Sequence, residues 1–543
     1  MHVTTMRPES VERRRWWILG VLAFSVLVIV LDNSVLNVAL PAIVGQLHAS
    51  SSELQWMVDA YSLAFAGLLL TMGSLGDKYG RRPALQIGFL VFGVGSAISA
   101  IVGSPGQLIA SRAVMGVGAA LIMPATLSII TNVFPADERP KAIAIWTATA
   151  GVGVALGPIA GGFLLEHFYW GSIFLVNLPI VAVGLLAGAF LIPDSRDPRA
   201  PRLDWVGAIL SIVGLCALLY AVIEAPTHGW TDGAILTAFA IGGVVLTAFL
   251  AWEAHVEQPM LDLRFWANPR FSAASGAIAV TFFALFGAVF LLTQYLQFVL
   301  GLSALQTGVR LLASAVPVML VSPLAPRLVA RFGTKLTVAA GLATIAVALV
   351  SFDGMDVTTG FGGVTWRLAL LGVGMGLTMA PATESIMGSV PLARAGVGSA
   401  VNDTTRELGG AVGVAVVGSV FSSVYGSRIV DALHGQPGST AAGAKGGVGA
   451  ALEIASRLPG AAGRTFAEIA RQSFVEGFHT AVFVGAATTV AGLIAVLAFL
   501  PSRPSRADVE RQAEEFAAER ERELTGTLSQ ASVGGDVRDL PLV

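Results

Sequence analysis

Long apolar stretches alternate with short polar loops along almost the whole chain. Fourteen of these stretches have about the 20 mostly apolar residues that a helix needs to cross a bilayer. We place them at approximately 17–41, 54–76, 84–103, 107–130, 141–164, 172–192, 204–223, 233–251, 272–298, 306–326, 336–352, 366–388, 397–426 and 478–500. The pattern predicts an all-α polytopic membrane protein with fourteen transmembrane helices.

The first stretch is interpreted as a retained helix, although Arg13–Arg15 in front of it resemble the start of a signal peptide. It is longer than the apolar region of a signal peptide, lacks a small-residue cleavage site and contains Asp32. Lys and Arg then set the orientation, because they concentrate in cytoplasmic loops. Loops 77–83, 193–203 and 327–335 are basic, whereas the short loops on the other side contain no Lys or Arg. Both termini are therefore predicted to be cytoplasmic.

Composition supports a membrane protein and excludes other classes. Hydrophobic residues make up 55% of the chain and charged residues 13%, and the mean hydropathy is +0.74. A soluble enzyme or a disordered chain would be far more polar. The net charge of −2 gives no reason to expect a nucleic-acid partner. The single cysteine, Cys216, excludes an intramolecular disulfide, and the seven scattered histidines give no reason to expect a metal site.

A degenerate internal repeat divides the chain into two halves. The loop 73–83 is copied in part at 330–335, where Gly333 matches Gly80 and Ala330 replaces Asp77. Such a copy indicates a duplicated six-helix unit, as is usual in transporters. The predicted segments are a cytoplasmic N-terminus at 1–16, an N-terminal six-helix bundle at 17–192, a linker with two extra transmembrane helices at 193–271, a C-terminal six-helix bundle at 272–500, and a cytoplasmic tail at 501–543.

The largest outer segment is the loop 427–477. Apolar residues recur at helical spacing in 450–458 and in 466–474, with Gly460 and Gly463 between them. This spacing predicts two short amphipathic helices that form a hairpin at the membrane surface. The tail from residue 505 is rich in Glu and Arg and is expected to form a solvated helix that frays into disorder.

Charged residues inside the apolar stretches are the best candidates for function, because charge is unfavourable there. Asp32 in the first helix, Asp59 in the second and Arg112 in the fourth lie at depths that allow Arg112 to approach either acid. One interpretation is a purely structural ion pair. The other is proton coupling, in which the proton affinity of a carboxylate depends on its neighbour.

A second group of charges lies in the later half. Glu384 follows Pro381, which can kink the helix, and is predicted either to line a substrate cavity or to cap the inner rim. Asp403, Arg406 and Glu407 lie in the inner half of the next helix, where Asp403 and Arg406 have the spacing of a self-neutralising ion pair.

Glycines predict two further features. Gly153, Gly157 and Gly161 form one stripe on the fifth helix, beside Pro158 and Gly162, so another helix can approach closely at a deformable contact. This stripe is a candidate hinge or seal as well as a packing surface. In the loop 73–83, Asp77 stands among Lys78, Arg81 and Arg82. Together with Gly73, Gly76 and Gly80, this pattern predicts a tight cytoplasmic turn with an acid–base latch to a neighbouring helix end.

These motifs together resemble the major facilitator superfamily, and within it the 14-helix drug:proton antiporters of the quaternary-ammonium-compound type. The resemblance covers about residues 16–500. It departs from the family at Asn33-Ser34, where a small residue and Thr are commoner, and in the second loop copy, which lacks its acid. The matching segments are Leu31–Pro41, Gly73–Pro83, Arg112–Gly118, Gly153–Gly162, Trp170–Pro179, Gln294–Gln297 and Gly396–Gly410.

The resemblance implies the major facilitator fold, two six-helix bundles plus two extra helices, and assigns roles to the candidate residues. Asp32, Asp59 and Arg112 would couple protons. The predicted gating positions are Gly73, Asp77, Arg81, Gly153, Gly157, Pro158, Gly161 and Gly162. The residues predicted to line the substrate cavity are Glu384, Phe286, Tyr295 and Gln294.

The predicted function is proton-driven export of lipophilic, often cationic compounds across the bacterial cytoplasmic membrane. The alternative is a dedicated exporter of one endogenous metabolite, antibiotic or lipid, and a remote alternative is a non-transporting scaffold. The chain is expected not to be an enzyme, to use protons as the coupling ion without a cofactor, and to be monomeric. Its partners are expected to be small molecules and the lipid bilayer.

Overall fold

The protein is a bundle of long helices. The computed structural model describes residues 8–47, 51–193, 195, 204–257, 259–432, 444, 447–503 and 514. No β-strand occurs among these residues. The helices are α1 (Pro8–Leu47), α2 (Ser51–Tyr79), α3 (Arg81–Ile101), α4 (Pro105–Val133), α5 (Arg139–His167), α6 (Ser172–Leu175), α7 (Asn177–Leu191), α8 (Trp205–His228), α9 (Gly233–His255), α10 (Pro269–Gln294), α11 (Ala304–Val321), α12 (Ala325–Ser351), α13 (Phe361–Met387), α14 (Ala395–Ala432), α15 (Val448–Arg457) and α16 (Gly460–Phe499).

Twelve helical stretches of the described residues are long and apolar enough to cross a membrane. One of them, Gln306–Gly354, has 49 residues, about twice the length that a bilayer requires, and it contains a break at Gly333. The helix α5 is not among the twelve. The all-helical, multi-pass architecture that the apolar pattern predicts is therefore confirmed.

The two matched glycines of the internal repeat occupy equivalent turns. Gly80 separates α2 from α3 with a φ of 114° and a ψ of 135°, and Gly333 interrupts α12 with a φ of 83° and a ψ of 164°. Side chains other than hydrogen are strained in these conformations. At Gly333 a Cβ would also lie 2.6 Å from the carbonyl oxygen of Ser502. The repeat in the sequence thus corresponds to a repeated backbone feature, one in each half.

Two hydrophobic cores match the two halves of the chain. One core is built mainly by α1–α7, and the other mainly by α10–α16, with Leu70, Leu215 and Phe249 added from α2, α8 and α9. Met387 and Ala395, from the later half, pack into the first core. The extra helix α8 contacts both α2 and α14, while α9 packs against α8. The linker helices therefore touch both halves.

The loop 427–477 differs from its prediction in one respect. The helix α15 has the predicted amphipathic character, since Val448, Ala451 and Ala455 are buried. The second short helix is not separate, because α16 runs without interruption through 40 residues into the last apolar stretch. Gly463 belongs to α16, where the missing Cβ lets Leu458 and Ala455 approach closely. Residues 433–443, 504–513 and 515–543, which include most of the glycine-rich start of this loop and of the charged tail, lie outside the described residues.

Candidate functional site

The centre of the N-terminal half contains a buried ion pair between α1 and α4. Asp32 is 2% exposed and Arg112 is fully buried, and an Nη1 hydrogen of Arg112 is donated to Oδ2 of Asp32. The guanidinium also donates from Nε to the carbonyl oxygen of Met57 at 3.1 Å and from Nη2 to Oδ1 of Asn33 at 3.3 Å. It lies over the ring of Tyr61, 4.4 Å from the ring centroid. The structure thus brings together two of the three predicted coupling residues.

The other oxygen of Asp32 is held by an amide that the site prediction did not include. Asn177, at the start of α7, donates from Nδ2 to Oδ1 of Asp32 at 2.7 Å. The same Nδ2 lies 3.1 Å from Oγ of Ser96, which donates to the carbonyl oxygen of Phe174 at 2.7 Å. Asn177 is fully buried. In the sequence, Asn177 belongs to the matching segment Trp170–Pro179, but no spacing relates residue 177 to residue 32.

Asp59 lies next to this network on α2. It is half-buried and stands two residues after Met57, whose carbonyl oxygen accepts from Arg112. The predicted coupling role of Asp59 stays a prediction.

The glycine stripe of α5 faces the helix that carries Asp32. A Cβ at Gly153 would lie 2.8 Å from Cβ of Val30, and one at Gly161 would lie 3.2 Å from Cγ1 of Val35. Between them, the space next to Gly157 is occupied by Ser34. The close approach that the stripe predicts is therefore made with α1, within the N-terminal half. Gly162 is buried, and Pro158 lies within α5.

The loop between α2 and α3 joins the two halves of the protein. Asp77 and Arg81 are paired, with Nε and Nη2 of Arg81 at 3.0 and 2.9 Å from Oδ1 of Asp77. The carboxylate also accepts from the backbone N–H groups of Gly396 at 2.9 Å and Val397 at 3.1 Å. Because these residues begin α14, Asp77 lies at the positive end of a helix dipole in the other half.

Arg81 and Gly73 extend this contact, which we name the latch (Gly73, Asp77 and Arg81 against Leu392–Val397). Nη2 of Arg81 donates to the carbonyl oxygens of Leu392 at 2.7 Å and Ala393 at 3.3 Å. A Cβ at Gly73 would lie 2.6 Å from the carbonyl oxygen of Gly396, so the backbones of α2 and α14 touch there. The latch therefore joins the acid–base residues of the first half to the start of α14 in the other half. The sequence had not indicated which helix end these residues contact.

Arg406 also connects the two halves. Its Nη1 is 3.7 Å from Oδ1 of Asp403, and its Nη2 donates to Oγ1 of Thr383 at 3.1 Å. The guanidinium carbon lies 5.1 Å from the ring centroid of Trp146 on α5 and 5.5 Å from that of Phe282 on α10. The predicted pair with Asp403 exists, and two aromatic rings from other helices also contact the guanidinium. Glu407, one residue further, is half-buried.

Glu384, which follows Pro381, forms an ion pair with an arginine of another helix. Both of its oxygens accept from Nη2 of Arg270, at 3.1 and 3.0 Å, and Nη1 of Arg270 donates to the carbonyl oxygen of Gly388 at 3.3 Å. This pair joins the start of α10 to the end of α13. The sequence did not reveal Arg270 as its partner, because the two residues are 114 positions apart. A place of Glu384 in the substrate cavity stays a prediction.

The three other predicted cavity residues have different surroundings. Tyr295 is fully buried in the second core, stacked on Phe478, and its hydroxyl donates to the carbonyl oxygen of Asp356 at 2.5 Å. It therefore packs within the second core, and its place in the substrate cavity stays a prediction. Phe286 is 38% exposed and packs against Gly410, and Gln294 has an exposed amide that lies 3.5 Å from the carbonyl oxygen of Phe290.

Both oxygens of the buried Asp32 carboxylate accept from donors on other helices, so this one acid joins α1, α4 and α7. Sequence comparison then identifies the family, because the profile of the Major Facilitator Superfamily matches residues 22–414. The chain belongs to the Major Facilitator Superfamily. It is a multi-pass membrane transporter rather than an enzyme.

Within the Major Facilitator Superfamily, the chain resembles several proteins with names that describe drug efflux. It is 37% identical over 488 residues to the multidrug efflux pump LfrA of Mycolicibacterium smegmatis, which covers 90% of this chain and 96% of that protein. It is 31% identical to the tetracenomycin C resistance and export protein of Streptomyces glaucescens, over 94% of this chain and 95% of that protein. The methyl viologen resistance protein SmvA of Salmonella typhimurium is 33% identical, over 85% and 93% respectively.

Solved structures support the same fold at low sequence identity. The human organic anion transporter MFSD10 superposes with a TM-score of 0.60 at 14% identity, over 89% of this chain and 99% of that one. A bacterial homologue of the lysosomal transporter Spinster, in an inward-facing and unoccupied conformation, gives a TM-score of 0.55 at 17% identity, over 91% and 99%.

Proposed function

We propose that this protein is a proton-coupled exporter of lipophilic, often cationic small molecules. The observation that carries the proposal is the buried Asp32–Arg112 pair with its second donor, Asn177. An acid inside an apolar bundle either keeps its charge through such partners or takes up a proton. The names of the relatives support drug export as the use of this chemistry.

Proton uptake and helix packing are linked at Asp32. A protonated Asp32 loses most of its attraction to Arg112, and α1 is then held to α4 and α7 by weaker contacts. Since α5 packs directly against the same turn of α1 through Gly157, a shift of α1 is transmitted to α5. The helix α5 in turn contacts α11 in the other half, where Gly151 lies against Met319. Protonation at Asp32 can in this way bias how the two halves meet.

The latch is the proposed inner gate. It joins the halves on the side that the basic loops assign to the cytoplasm. The hydrogen bonds from Gly396 and Val397 to Asp77 support this role, because they hold the two halves together at the latch. An exporter must open this seal to load cargo and close it before release, so we assign Asp77 and Arg81 to the step that closes it.

The finer topology is part of the same proposal. The stretch Gln306–Gly354 divides at Gly333 into two spans, and α5 adds one more span to the twelve candidates. This division supports fourteen transmembrane helices, with two six-helix bundles and an extra pair formed by α8 and α9. We further propose that both termini are cytoplasmic, that the protein lies in the bacterial inner membrane, and that it acts as a monomer.

Two relatives favour a second candidate for the cargo. The names of the tetracenomycin C export protein and the puromycin resistance protein pur8 of Streptomyces alboniger each refer to one antibiotic. A dedicated exporter of one antibiotic or metabolite is therefore the alternative. Both candidates use the same coupling residues and differ only in the range of compounds that they move.

Transport in proteoliposomes tests the proposal. Purified protein is reconstituted, a pH gradient is imposed, and the transport of a lipophilic cation, a neutral lipophilic compound and single antibiotics is followed. We expect transport driven by the gradient and its loss in Asp32→Asn. The matched control is Glu453→Gln, an exposed acid on α15 paired with Arg457, which should transport as the unmodified protein does. Transport at the same rate with and without the pH gradient would contradict proton coupling. Transport of a single compound would favour the dedicated exporter of one antibiotic or metabolite.

A further inference from the structure

Two carboxyl groups meet at the inner end of the extra helix pair, apart from the Asp32 network. Asp204 immediately precedes α8, and Glu253 lies in the last turn of α9. A Cβ placed on Gly207 would lie 2.5 Å from Oδ2 of Asp204 and 2.7 Å from Oε1 of Glu253. The two oxygens are therefore no further apart than the sum of these distances, 5.2 Å. Glycine at position 207 leaves room for both acids.

Glu253 is poorly placed to carry a negative charge. It is 3% exposed, and its Oε2 accepts from the N–H of Leu261 at 3.0 Å. Its Oε1 is buried without a hydrogen-bond partner among the described residues. An ionised carboxylate with one oxygen buried and without a donor is unfavourable, and a second carboxylate close by makes it more so.

Asp204 has the opposite surroundings. Its Oδ1 accepts from the N–H of Gly207 at 2.9 Å, and its Oδ2 accepts from the indole N–H of Trp252 at 2.8 Å. It caps the N-terminus of α8, where the helix dipole favours an anion. Of the two acids, Asp204 is the one that can hold the charge.

We propose that Glu253 binds a proton and faces Asp204 as a neutral carboxylic acid, which makes the inner end of α8 and α9 a proton-binding site. The proton resides on Oε1 of Glu253, directed toward Oδ2 of Asp204. Its loss leaves two carboxylates together and releases one proton to the cytoplasmic side. The site involves none of the residues assigned to transport, so it goes beyond the proposed function.

The surrounding charges connect this site to the latch. The charged groups that interact electrostatically with Glu253 are Asp204, before α8, and Arg394, from the turn before α14. Arg394 is itself paired with Asp262, at 3.6 Å. His255, on the same helix, is exposed and bonded to the carbonyl oxygen of Ala251. An ionised Glu253 would be repelled by Asp204 and would compete with Asp262 for Arg394. Because Arg394 directly follows the carbonyls that hold Arg81, the charge state of Glu253 is transmitted to the latch.

Infrared spectroscopy of the full-length protein in proteoliposomes tests the site without any transport measurement. We expect a carbonyl band of a protonated carboxylic acid near neutral pH that is lost in Glu253→Gln. The matched control, Glu257→Gln, changes an exposed acid four residues further along and should keep the band. In Asp204→Asn the neighbouring negative charge is gone and Glu253 ionises more readily, so the band should weaken. A Glu253→Gln spectrum that equals the unmodified one would overturn the proposal.

A second measurement needs no variant and therefore does not depend on the folding of one. An apolar carbodiimide reacts with buried protonated carboxyl groups, and mass spectrometry of the digested protein locates the adduct. We expect modification of Glu253 that declines as the pH is raised, and no modification of Asp204. Absence of a Glu253 adduct at mildly acidic pH would overturn the proposal. Neither measurement depends on transport, so a failed proton site and a failed exporter would be told apart.

Discussion

At the scale of single residues, the function proposed here depends on which atoms surround Asp32. The position of two opposite charges at similar depth was enough to predict that Arg112 approaches an outer-half acid. It did not distinguish Asp32 from Asp59, because depth along a helix says nothing about the direction in which a side chain points. The structure adds the donor Asn177, which comes from a helix far along the chain.

Asn177→Leu should weaken the Asp32 site without removing its charge. The leucine has a similar size but leaves Oδ1 of Asp32 without its amide donor, and a buried hydrogen bond to a charged group contributes roughly 1.5–3 kcal/mol. We expect the protein to insert normally and the pH profile of its transport to shift, because the amide that donates to the carboxylate is gone. The pH profile of transport in proteoliposomes is the measurement. An unchanged profile would mean that Asn177 only packs.

Arg112→Lys should restore only part of what Arg112→Ala loses. A lysine keeps the charge, but a single ammonium cannot match the planar fork that reaches Asp32, Asn33 and the Met57 carbonyl oxygen together. Removing one partner of a buried pair costs about 3–5 kcal/mol. We expect thermal stability and transport to fall in the order unmodified, Lys, Ala. Equal transport by all three would make the pair irrelevant to coupling.

At the scale of elements, the glycine stripe on α5 illustrates what a pattern can and cannot predict. Spacing alone predicted a close helix contact. It could not name the partner, since any helix of the bundle could fit such a groove. The partner is α1, at the turn that carries Asp32, so the packing surface lies next to the proposed proton site.

Gly157→Leu should therefore disturb coupling as well as packing. The added side chain would displace Ser34 and push α1 away from α5, and overpacking of this kind costs typically about 1–3 kcal/mol. We expect substrate binding to be retained and proton-driven transport to be lost. The matched control is Gly243→Leu on α9, where a Cβ meets no other atom within 4 Å. Equal losses in both variants would show a general folding defect, and loss of binding in Gly157→Leu alone would place α5 at the cargo site.

At the scale of the whole molecule, the apolar pattern and the internal repeat were sufficient for the fold. Each six-helix half is encoded by its own segment, and Gly80 and Gly333 mark the repeated turn. The contacts between the halves were not predictable. The partners of Asp77, Arg81 and Arg406 across the interface lie far away in sequence. The pair of Glu384 with Arg270, within the later half, was not predictable for the same reason.

Asp77→Asn should open the inner face. An amide cannot accept from Arg81, Gly396 and Val397 together, so the join between α2 and α14 loses its charge and most of its hydrogen bonds. We expect the distance between spin labels on the two halves at the inner side to increase. Arg82→Gln is the control, because Arg82 donates to the carbonyl oxygen of Ala189 within its own half. Equal distances in the Asp77 variant and the unmodified protein would show that the latch does not act as the gate.

The single cysteine gives the protein a built-in reporter of this motion. Cys216 on α8 is half-buried against Gly67 of α2, and its thiol is 3.9 Å from the carbonyl oxygen of Leu63. When α2 moves with its half, the crevice beside this thiol widens or narrows. A membrane-permeant alkylating reagent should therefore react with the native chain at a rate that follows the working cycle, in living cells and without any introduced label.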